Sequence, residues 1–165
     1  SAVLQLKPSK ILEIKFKGGE RLKLTTKGTY GLKAAFELAR AYGGNPIPLK
    51  DIAQSQELAE KYLEQLLALL KKAGIVQTVR GASGGYTLSA PPDCITVNQV
   101  LTALEGDMTI VECQRGKKCK NEDSCATKAV WQRISESVTT ALEEITLQNM
   151  VDDYFKGQAA KEMKK

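Results

Sequence analysis

EKYLEQLLALLKKAGIVQTVRGASGGYTL, residues 60–88, joins an amphipathic helix to a short β-hairpin. Four leucines in this stretch recur at three- and four-residue steps and so share one helical face: Leu63, Leu66, Leu67 and Leu70. Gly74 stands where a helix commonly ends. Residues 75–79 and 86–88 then read as two strands separated by the glycine-rich turn RGASGG. The stretch therefore predicts a helix followed by a hairpin.

Two further helical patterns precede this stretch. From Thr29 to Tyr42, small and apolar side chains recur at helical spacing, and GGNP at residues 43–46 ends the pattern. A second, shorter helix is expected over residues 49–54. Three helices followed by a hairpin is the order of a winged helix-turn-helix, so the sequence predicts a mainly α fold with a small β-hairpin wing.

The polar face of the third helix carries groups that suit a DNA major groove. Its cationic and hydrogen-bonding side chains are Lys61, Tyr62, Glu64 and Gln65. Such groups can contact base edges and phosphates if the helix enters the groove, although a solvated helix face is the competing interpretation. Phosphates repel a carboxylate unless it accepts from cytosine N4 or faces water, so we expect Glu64 to select between sites.

The hairpin turn is the second candidate for DNA contact. Arg80, with Gly81 and Ser83 beside it, suits insertion into a narrow minor groove, where the potential is most negative. A solvated turn arginine is the alternative. A phosphate-cradling nucleotide loop is rejected because RGASGG lacks the Gly-Lys-Ser/Thr ending and precedes a strand. Further phosphate contacts are expected at Lys23, Thr25 and Lys27.

The composition fits a soluble protein with an anionic partner. The 165 residues suit one domain plus an extension, and 24 basic residues exceed 19 acidic residues, which gives a net charge of +5. No apolar run reaches membrane-spanning length. No secretory signal pattern is found, so we expect a reducing cytoplasmic compartment. Residues 1–21 alternate like a strand at residues 11–16 but are expected to be a disordered or vector-derived extension.

Three of the four cysteines stand in one segment, VECQRGKKCKNEDSCATKAVW, residues 111–131. Cys113, Cys119 and Cys125 have five residues between each neighbouring pair. Thiolates of this kind select iron–sulfur clusters, zinc or copper(I), and the spacing does not choose among them. The chain has no histidine to activate a cysteine nucleophile, so no enzymatic activity is expected. Cys94 lies apart and is expected to be a small buried residue.

The C-terminal part of the chain predicts helices that join two copies. Thr96 is placed to cap a helix ending at Gly106, and a longer helix follows from Cys125 to about Glu144. Its apolar stripe consists of Trp131, Ile134, Val138, Leu142 and Ile145. Because the preceding domain leaves no intramolecular core to cover this stripe, we expect a homodimer that suits a palindromic DNA site.

The segment boundaries expected from these patterns are an extension at 1–21, a winged helix-turn-helix at 22–92, a connecting helix at 93–110, a cysteine loop at 111–126, dimerisation helices at 127–155 and a polar tail at 156–165.

Five separate stretches carry a resemblance to a known family. They are LKLTTKGTYGLKAAFELA (22–39), YLEQLLALLKKAGIV (62–76), VRGASGGYTL (79–88), ITVNQVLTALEGD (95–107) and the cysteine loop that ends in AVW (129–131). Together they resemble the Rrf family of winged-helix regulators, most closely its iron-sulfur cluster regulator (IscR) branch. The resemblance implies a dimeric transcription factor whose recognition helices and wings hold double-stranded DNA and whose cysteine loop holds an iron–sulfur cluster.

Carried across residue by residue, the resemblance places the cluster ligands on Cys113, Cys119 and Cys125. It implies a [2Fe–2S] cluster in preference to [4Fe–4S], and repression of cluster-assembly genes. The base-reading positions fall on Tyr62, Glu64 and Gln65, and the wing arginine on Arg80.

The fourth ligand departs from the family pattern. Lys128 stands where the branch has histidine, and Thr29 stands where the related nitric-oxide sensors have a carboxylate. A protonated lysine has no lone pair to donate to a metal. Other oxygen donors near the loop or on the first helix are Glu112, Glu122, Asp123 and Glu37. Two alternative functions are a nitric-oxide or redox sensor and a zinc-binding structural module, the latter disfavoured because C-x2-C pairs are absent.

Overall fold

A computed structural model describes residues 25–106 and 125–163, together with the backbone of three short strands nearer the N-terminus. The elements are β1 (Val3–Gln5), β2 (Glu13–Lys15), β3 (Arg21–Lys23), α1 (Thr26–Arg40), α2 (Leu49–Ser55), α3 (Glu60–Lys72), β4 (Val76–Val79), β5 (Gly85–Leu88), α4 (Val97–Glu105), α5 (Lys128–Glu143) and α6 (Leu147–Glu162). The described part is mainly helical with one hairpin beside the third helix, which confirms the predicted fold class. Among the described helices, none is long and apolar enough to cross a membrane.

The first three strands form an antiparallel sheet in chain order. Val3 lies opposite Lys15, and Glu13 lies opposite Lys23. The strand-like alternation at residues 11–16 therefore corresponds to β2, which lies within the segment expected to be an extension.

The first three helices pack on a leucine-rich core. The leucine face predicted for α3 is fully buried, as are Leu32 and Leu38 of α1 and Ile52 of α2. α1 begins at Thr26, earlier than the predicted Thr29, because the side chain of Thr25 caps the helix by accepting from the Gly28 N–H at 3.5 Å.

The turn between α2 and α3 is anchored to α1 by polar side chains. Glu57 in this turn has a φ of 53°, a left-handed conformation that is uncommon for a residue other than glycine. Next to it, the Gln56 side-chain amide donates to Glu37 Oε1 at 3.0 Å. The other Glu37 oxygen lies 3.3 Å from a guanidinium nitrogen of Arg40. Glu37, an oxygen donor considered for the cluster, thus helps to fix the direction in which α3 leaves the turn.

The wing is tied to the segment that leads into α2. β4 and β5 pair antiparallel from Val76 opposite Leu88 to Val79 opposite Gly85. Ile47 and Tyr86 exchange two backbone hydrogen bonds of 2.9 and 2.8 Å. A Cβ at Gly85 would lie 2.4 Å from the Ile47 carbonyl oxygen, so this close approach requires glycine. β5 is therefore hydrogen-bonded to β4 on one side and to the segment before α2 on the other.

In the second half of the chain, α4 and α6 begin side by side at one backbone bridge. Thr96 and Thr146 form this antiparallel bridge, and each is also the N-cap of a helix, α4 or α6. Each threonine takes part in a capping box with the residue three positions later, Gln99 or Asn149. The predicted cap at Thr96 is confirmed, and Gly106 with a φ of 81° ends α4 where expected.

The apolar stripe of α5 divides between the chain's own core and its surface. Val138 and Leu142 are 2% and 1% exposed, so the expectation that no core of the same chain covers the stripe is wrong for them. They are buried because α5 packs against α4. Ile145 is half-buried against the same core. Toward the start of α5, Trp131 is half-buried, while Val130 and Ile134 are 54% and 38% exposed.

The last helix returns to α1. Met150 and Val151 of α6 are buried, and the Tyr154 ring meets the Phe36 ring edge-on at 5.5 Å. The Arg40 guanidinium lies 5.1 Å from the Tyr154 ring centroid. α6 runs to Glu162, through most of the segment expected to be a polar tail, because its residues 156–162 (KGQAAKE) are mostly good helix formers.

Candidate DNA interface and cysteine segment

The exposed face of α3 presents three of the four predicted DNA-contacting side chains. Lys61, Glu64 and Gln65 are exposed on the face opposite the buried leucines. Tyr62 differs because it is half-buried against the core, with its ring edge-on to the Tyr30 ring at a centroid distance of 6.4 Å. Tyr62 is therefore placed at the border between core and surface rather than fully on the polar face.

The tip of the wing is exposed and shaped by glycine. Arg80, Gly81 and Ser83 are all exposed, as a DNA contact requires. Gly81 has a φ of 122°, a backbone conformation that residues other than glycine rarely adopt. Its carbonyl oxygen accepts from the Gly84 N–H at 3.0 Å. The tight turn that follows Arg80 therefore depends on Gly81.

The base of the wing lies within electrostatic reach of α3. Partial burial raises the pKa of the Tyr86 hydroxyl, and the negative charge of Glu64 raises this pKa further. The candidate selector on the recognition helix thus stands near the second strand of the wing.

The start of α1 differs from the expectation of a simple phosphate contact. The Thr25 hydroxyl donates to the carboxylate of Glu105, the last residue of α4. The Gly28 N–H donates to the same carboxylate oxygen at 2.7 Å. Lys27 is half-buried, and Lys23 lies in β3, where the structure describes the backbone. The donors at Thr25 and Gly28 are therefore engaged by Glu105.

Sequence patterns did not single out Glu105 as a functional candidate. It is 77 positions from its partner Gly28. The available signal was the pair of glycines inside α1, Gly28 and Gly31, since glycine within a helix commonly marks a close approach.

Cys125 is the predicted ligand that the structure describes, whereas Cys113 and Cys119 lie outside the described residues. The Cys125 Sγ lies 3.4 Å from Thr127 Oγ1, and its side chain is half-buried. Hydrogen bonding to Thr127, first from its side chain and then from its backbone, lowers the pKa of the Cys125 thiol. The surroundings thus favour a thiolate, which is the form that binds soft metals and iron–sulfur clusters.

The two positions considered for a fourth ligand are also described. Lys128 is the first residue of α5, and its backbone N–H donates to the Cys125 carbonyl oxygen at 3.2 Å. Its positive charge is a smaller cause of the lowered Cys125 pKa. The Thr29 hydroxyl donates to the Thr25 carbonyl oxygen at 3.0 Å, within the first turn of α1.

Cys94 is exposed, so its prediction as a buried residue was wrong. It ends the 3₁₀ turn Pro92–Cys94, and the neighbouring Pro92 and Ile95 occupy the buried positions instead. The negative charge of Asp93, followed by a hydrogen bond to the same residue, raises the pKa of the Cys94 thiol.

A helix-turn-helix with a wing at the third helix, followed by a cysteine-bearing segment, defines a DNA-binding regulator of the winged-helix class. The family model described as "Rrf2: Iron-dependent Transcriptional regulator" matches residues 24–153. The chain therefore belongs to the Rrf2 family of transcriptional regulators, which confirms the resemblance seen in its sequence.

Individual relatives carry two different regulator names. The HTH-type transcriptional regulator CymR of Bacillus subtilis is 40% identical over 129 residues, 78% of this chain and 89% of the relative. IscR of Yersinia enterocolitica is 36% identical over 132 residues, 80% of each chain.

The solved structures show the same division. The structure of T. potens IscR has 43% identity and a TM-score of 0.70 over 83% of this chain and 91% of its own. That of CymR, described as the global cysteine regulator of B. subtilis, has 40% identity and a TM-score of 0.69 over 79% and 97%. The two likenesses are similar in strength, so they support a transcriptional regulator without choosing between the IscR and CymR types.

Proposed function

We propose that this protein is a homodimeric, DNA-binding transcriptional repressor of cluster-assembly genes whose operator affinity responds to an iron–sulfur cluster. The observation that carries the cluster assignment is the three-cysteine segment between α4 and α5, where the surroundings of Cys125 favour a thiolate. The family description and the IscR relatives support the same assignment.

For DNA binding, we assign the major groove to α3 and a minor groove to the wing. Exposed Gln65 and Lys61 offer an amide for base edges and a cation for phosphates, while Arg80 extends from the exposed wing tip. Nearby phosphates would repel the Glu64 carboxylate unless it accepts from cytosine N4 or faces water. Glu64 would therefore select between operators. The anchored turn before α3 supports this assignment because it fixes the direction of the helix.

For dimerisation, we assign the exposed start of α5. Val130, Trp131 and Ile134 leave apolar surface at this end of the helix, whereas Val138 and Leu142 fill the chain's own core. A second copy packing here would remove that surface from water and would present two recognition helices to a palindromic site.

For the cluster, Cys113, Cys119 and Cys125 would be the protein's thiolate ligands. When bound, an iron–sulfur cluster supplies an anionic, oxidisable centre, and we propose the [2Fe–2S] form. Lys128 beside Cys125 contributes positive charge that favours the thiolate. Operator affinity then changes only to the extent that the protein makes different contacts in its two states.

Anaerobic purification tests the cofactor class. We expect a coloured protein with iron and acid-labile sulfide in equal amounts, and loss of both from Cys119→Ser and Cys125→Ser variants. Cys94→Ser is the matched control and should keep both. Colourless protein that contains stoichiometric zinc would contradict the proposal and support the zinc-binding module.

Two other signals can be separated by DNA-binding measurements. The likeness to CymR favours cysteine-responsive regulation as a second candidate, and it predicts that free cysteine changes operator affinity in cluster-free protein. A nitric-oxide sensor would instead release DNA faster after nitric oxide than after iron depletion. Under our proposal, cluster loading itself changes the affinity.

A further inference from the structure

Two glycines of α1 form a seat for the last turn of α4. A Cβ at Gly31 would lie 2.2 Å from Leu104 Cδ1, and one at Gly28 would lie 2.7 Å from Glu105 Oε1. Leu104 is fully buried at this contact. The end of α4 therefore approaches α1 more closely than alanine at position 31 would allow, whereas alanine at position 28 would displace the flexible end of the Glu105 side chain.

The seat also carries the polar contact already described. The Glu105 carboxylate accepts from the Gly28 N–H at 2.7 Å and from the Thr25 hydroxyl. A carboxylate is favourable there because the N-terminus of a helix carries partial positive charge. The same turn contains Thr25 and Lys27, which we assigned to DNA phosphates. A phosphate would therefore compete with Glu105 for the same donors.

The covalent chain connects this seat directly to the cysteine segment. Glu105 is the last residue of α4, and Gly106 has a φ of 81°. The residues that follow, 107–124, include Cys113 and Cys119. One residue, Gly106, therefore separates this segment from Glu105, whose side chain carries the carboxylate.

We propose that Glu105 is the positioning residue that couples the cysteine segment to the DNA-facing start of α1. This inference rests on the proposed function. In the described state the carboxylate holds the donors of Thr25 and Gly28, and its displacement makes them available to a DNA phosphate. Operator affinity in the two cluster states then differs because Glu105 is engaged in one and displaced in the other.

Two variants disturb the contact from opposite sides. Glu105→Gln removes the charge but keeps an oxygen that can accept from Gly28, so it preserves the fold. Gly28→Ala places a methyl group against the flexible end of the Glu105 side chain. The matched controls are Glu144→Gln, which removes an exposed charge, and Gly157→Ala, which faces open space.

The test compares operator affinity of cluster-loaded and cluster-free protein, using a duplex selected from random 30-base-pair DNA with the wild-type apo protein. We expect both variants to lower the ratio of the two affinities by about fivefold or more, the lower range of allosteric coupling. Both controls should keep the wild-type ratio. A uniform electrostatic effect on DNA binding cancels in this ratio, as does a general loss of folded protein.

A second readout needs no cluster. In apo protein, Glu105→Ala removes the closer of the two acceptors of the Gly28 N–H and leaves the Thr25 hydroxyl at 3.5 Å, so hydrogen exchange at residues 26–29 should accelerate relative to wild type. An unchanged exchange rate, or an unchanged affinity ratio in either test variant, would overturn the inference while leaving the proposed function intact. Wild-type protein that takes up no iron, or a wild-type affinity ratio of one, would overturn both the inference and the proposed function.

Discussion

The Nζ of Lys71 donates to the Thr78 Oγ1 at 3.0 Å, which joins the last turn of the recognition helix to the first strand of the wing. Both side chains are exposed, so the bond lies on the surface of the proposed DNA interface. The Ile47 and Tyr86 backbone bonds hold the other strand of the wing. Hydrogen bonds thus join the wing to α3 and to the segment before α2 in the absence of DNA.

Removing this bond should weaken operator binding. Thr78→Val keeps the shape of the side chain but loses the acceptor, and a hydrogen bond of this kind contributes about 0.5–1.5 kcal/mol. We expect a two- to tenfold loss of affinity, as that energy implies, in a titration at fixed salt concentration. Thr87→Val in the neighbouring strand is the control. Equal losses from both variants would contradict a specific role for the Lys71 bond.

Gln65 and Arg80 should differ in how their loss affects DNA recognition. Gln65→Ala should cost about 1–3 kcal/mol and relax specificity at one base pair, as expected for a base-edge contact. Arg80→Ala should weaken binding at any site with a narrow minor groove. Titrations against a panel of single-base operator variants measure both effects. Intact binding by both alanine variants at moderate salt would show that the groove assignments are wrong.

Glu64 should restrict the sites that the protein accepts. Glu64→Ala removes a carboxylate that is repelled wherever the DNA offers it no donor. Cluster-free protein should therefore gain affinity for sites that the cluster-loaded protein prefers. Competition between the two operator types gives their relative affinities. Glu60→Ala, also exposed on α3, controls for the loss of one negative charge. Unchanged relative affinities for the two operator types would count against the selector role.

Two glycine-to-alanine variants should change stability in opposite directions. At Gly31, the added methyl group overlaps the buried Leu104 side chain, and overpacking of this kind costs about 1–3 kcal/mol. At Gly157, the methyl group meets open space, and the helix should gain up to about 1 kcal/mol. Urea unfolding at one fixed protein concentration measures both changes. A Gly31→Ala protein as stable as wild type would mean that α4 can move away from α1.

The reactivity of the Cys94 thiol should depend on the charge of Asp93. Because the Asp93 charge raises the pKa of the Cys94 thiol, less thiolate is present near pH 8 than the ordinary value would give. Asp93→Asn should therefore speed alkylation of Cys94 by iodoacetamide at that pH. The two rates should converge at high pH, where both thiols are ionised. Peptide mapping by mass spectrometry follows Cys94 alone, and a rate unaffected by the substitution would argue against this cause.

Local patterns predicted the features that depend on neighbouring residues. The leucine spacing of α3 gave its buried face, and the glycine-rich turn gave the exposed position of Arg80. Thr96 was recognised as a cap because its partner Gln99 lies three positions away. In each case the physical cause acts within one or two turns of the chain.

Features that depend on distant contacts were missed or wrong. The Glu105 contact joins residues that only the packing of α4 on α1 brings together. The same is true of Val138 and Leu142, whose spacing indicates an apolar face without showing what covers it. Cys94 was misplaced because apolar character does not determine which of several neighbours points inward.

The Thr96–Thr146 bridge brings together two points 50 positions apart, since 146 − 96 = 50, and both points are further held by their capping boxes. The cysteine-bearing residues 107–124 lie inside the loop that this bridge closes. The starts of α4 and α6 are thus held by contacts between residues outside this segment, and none of these contacts involves a cysteine.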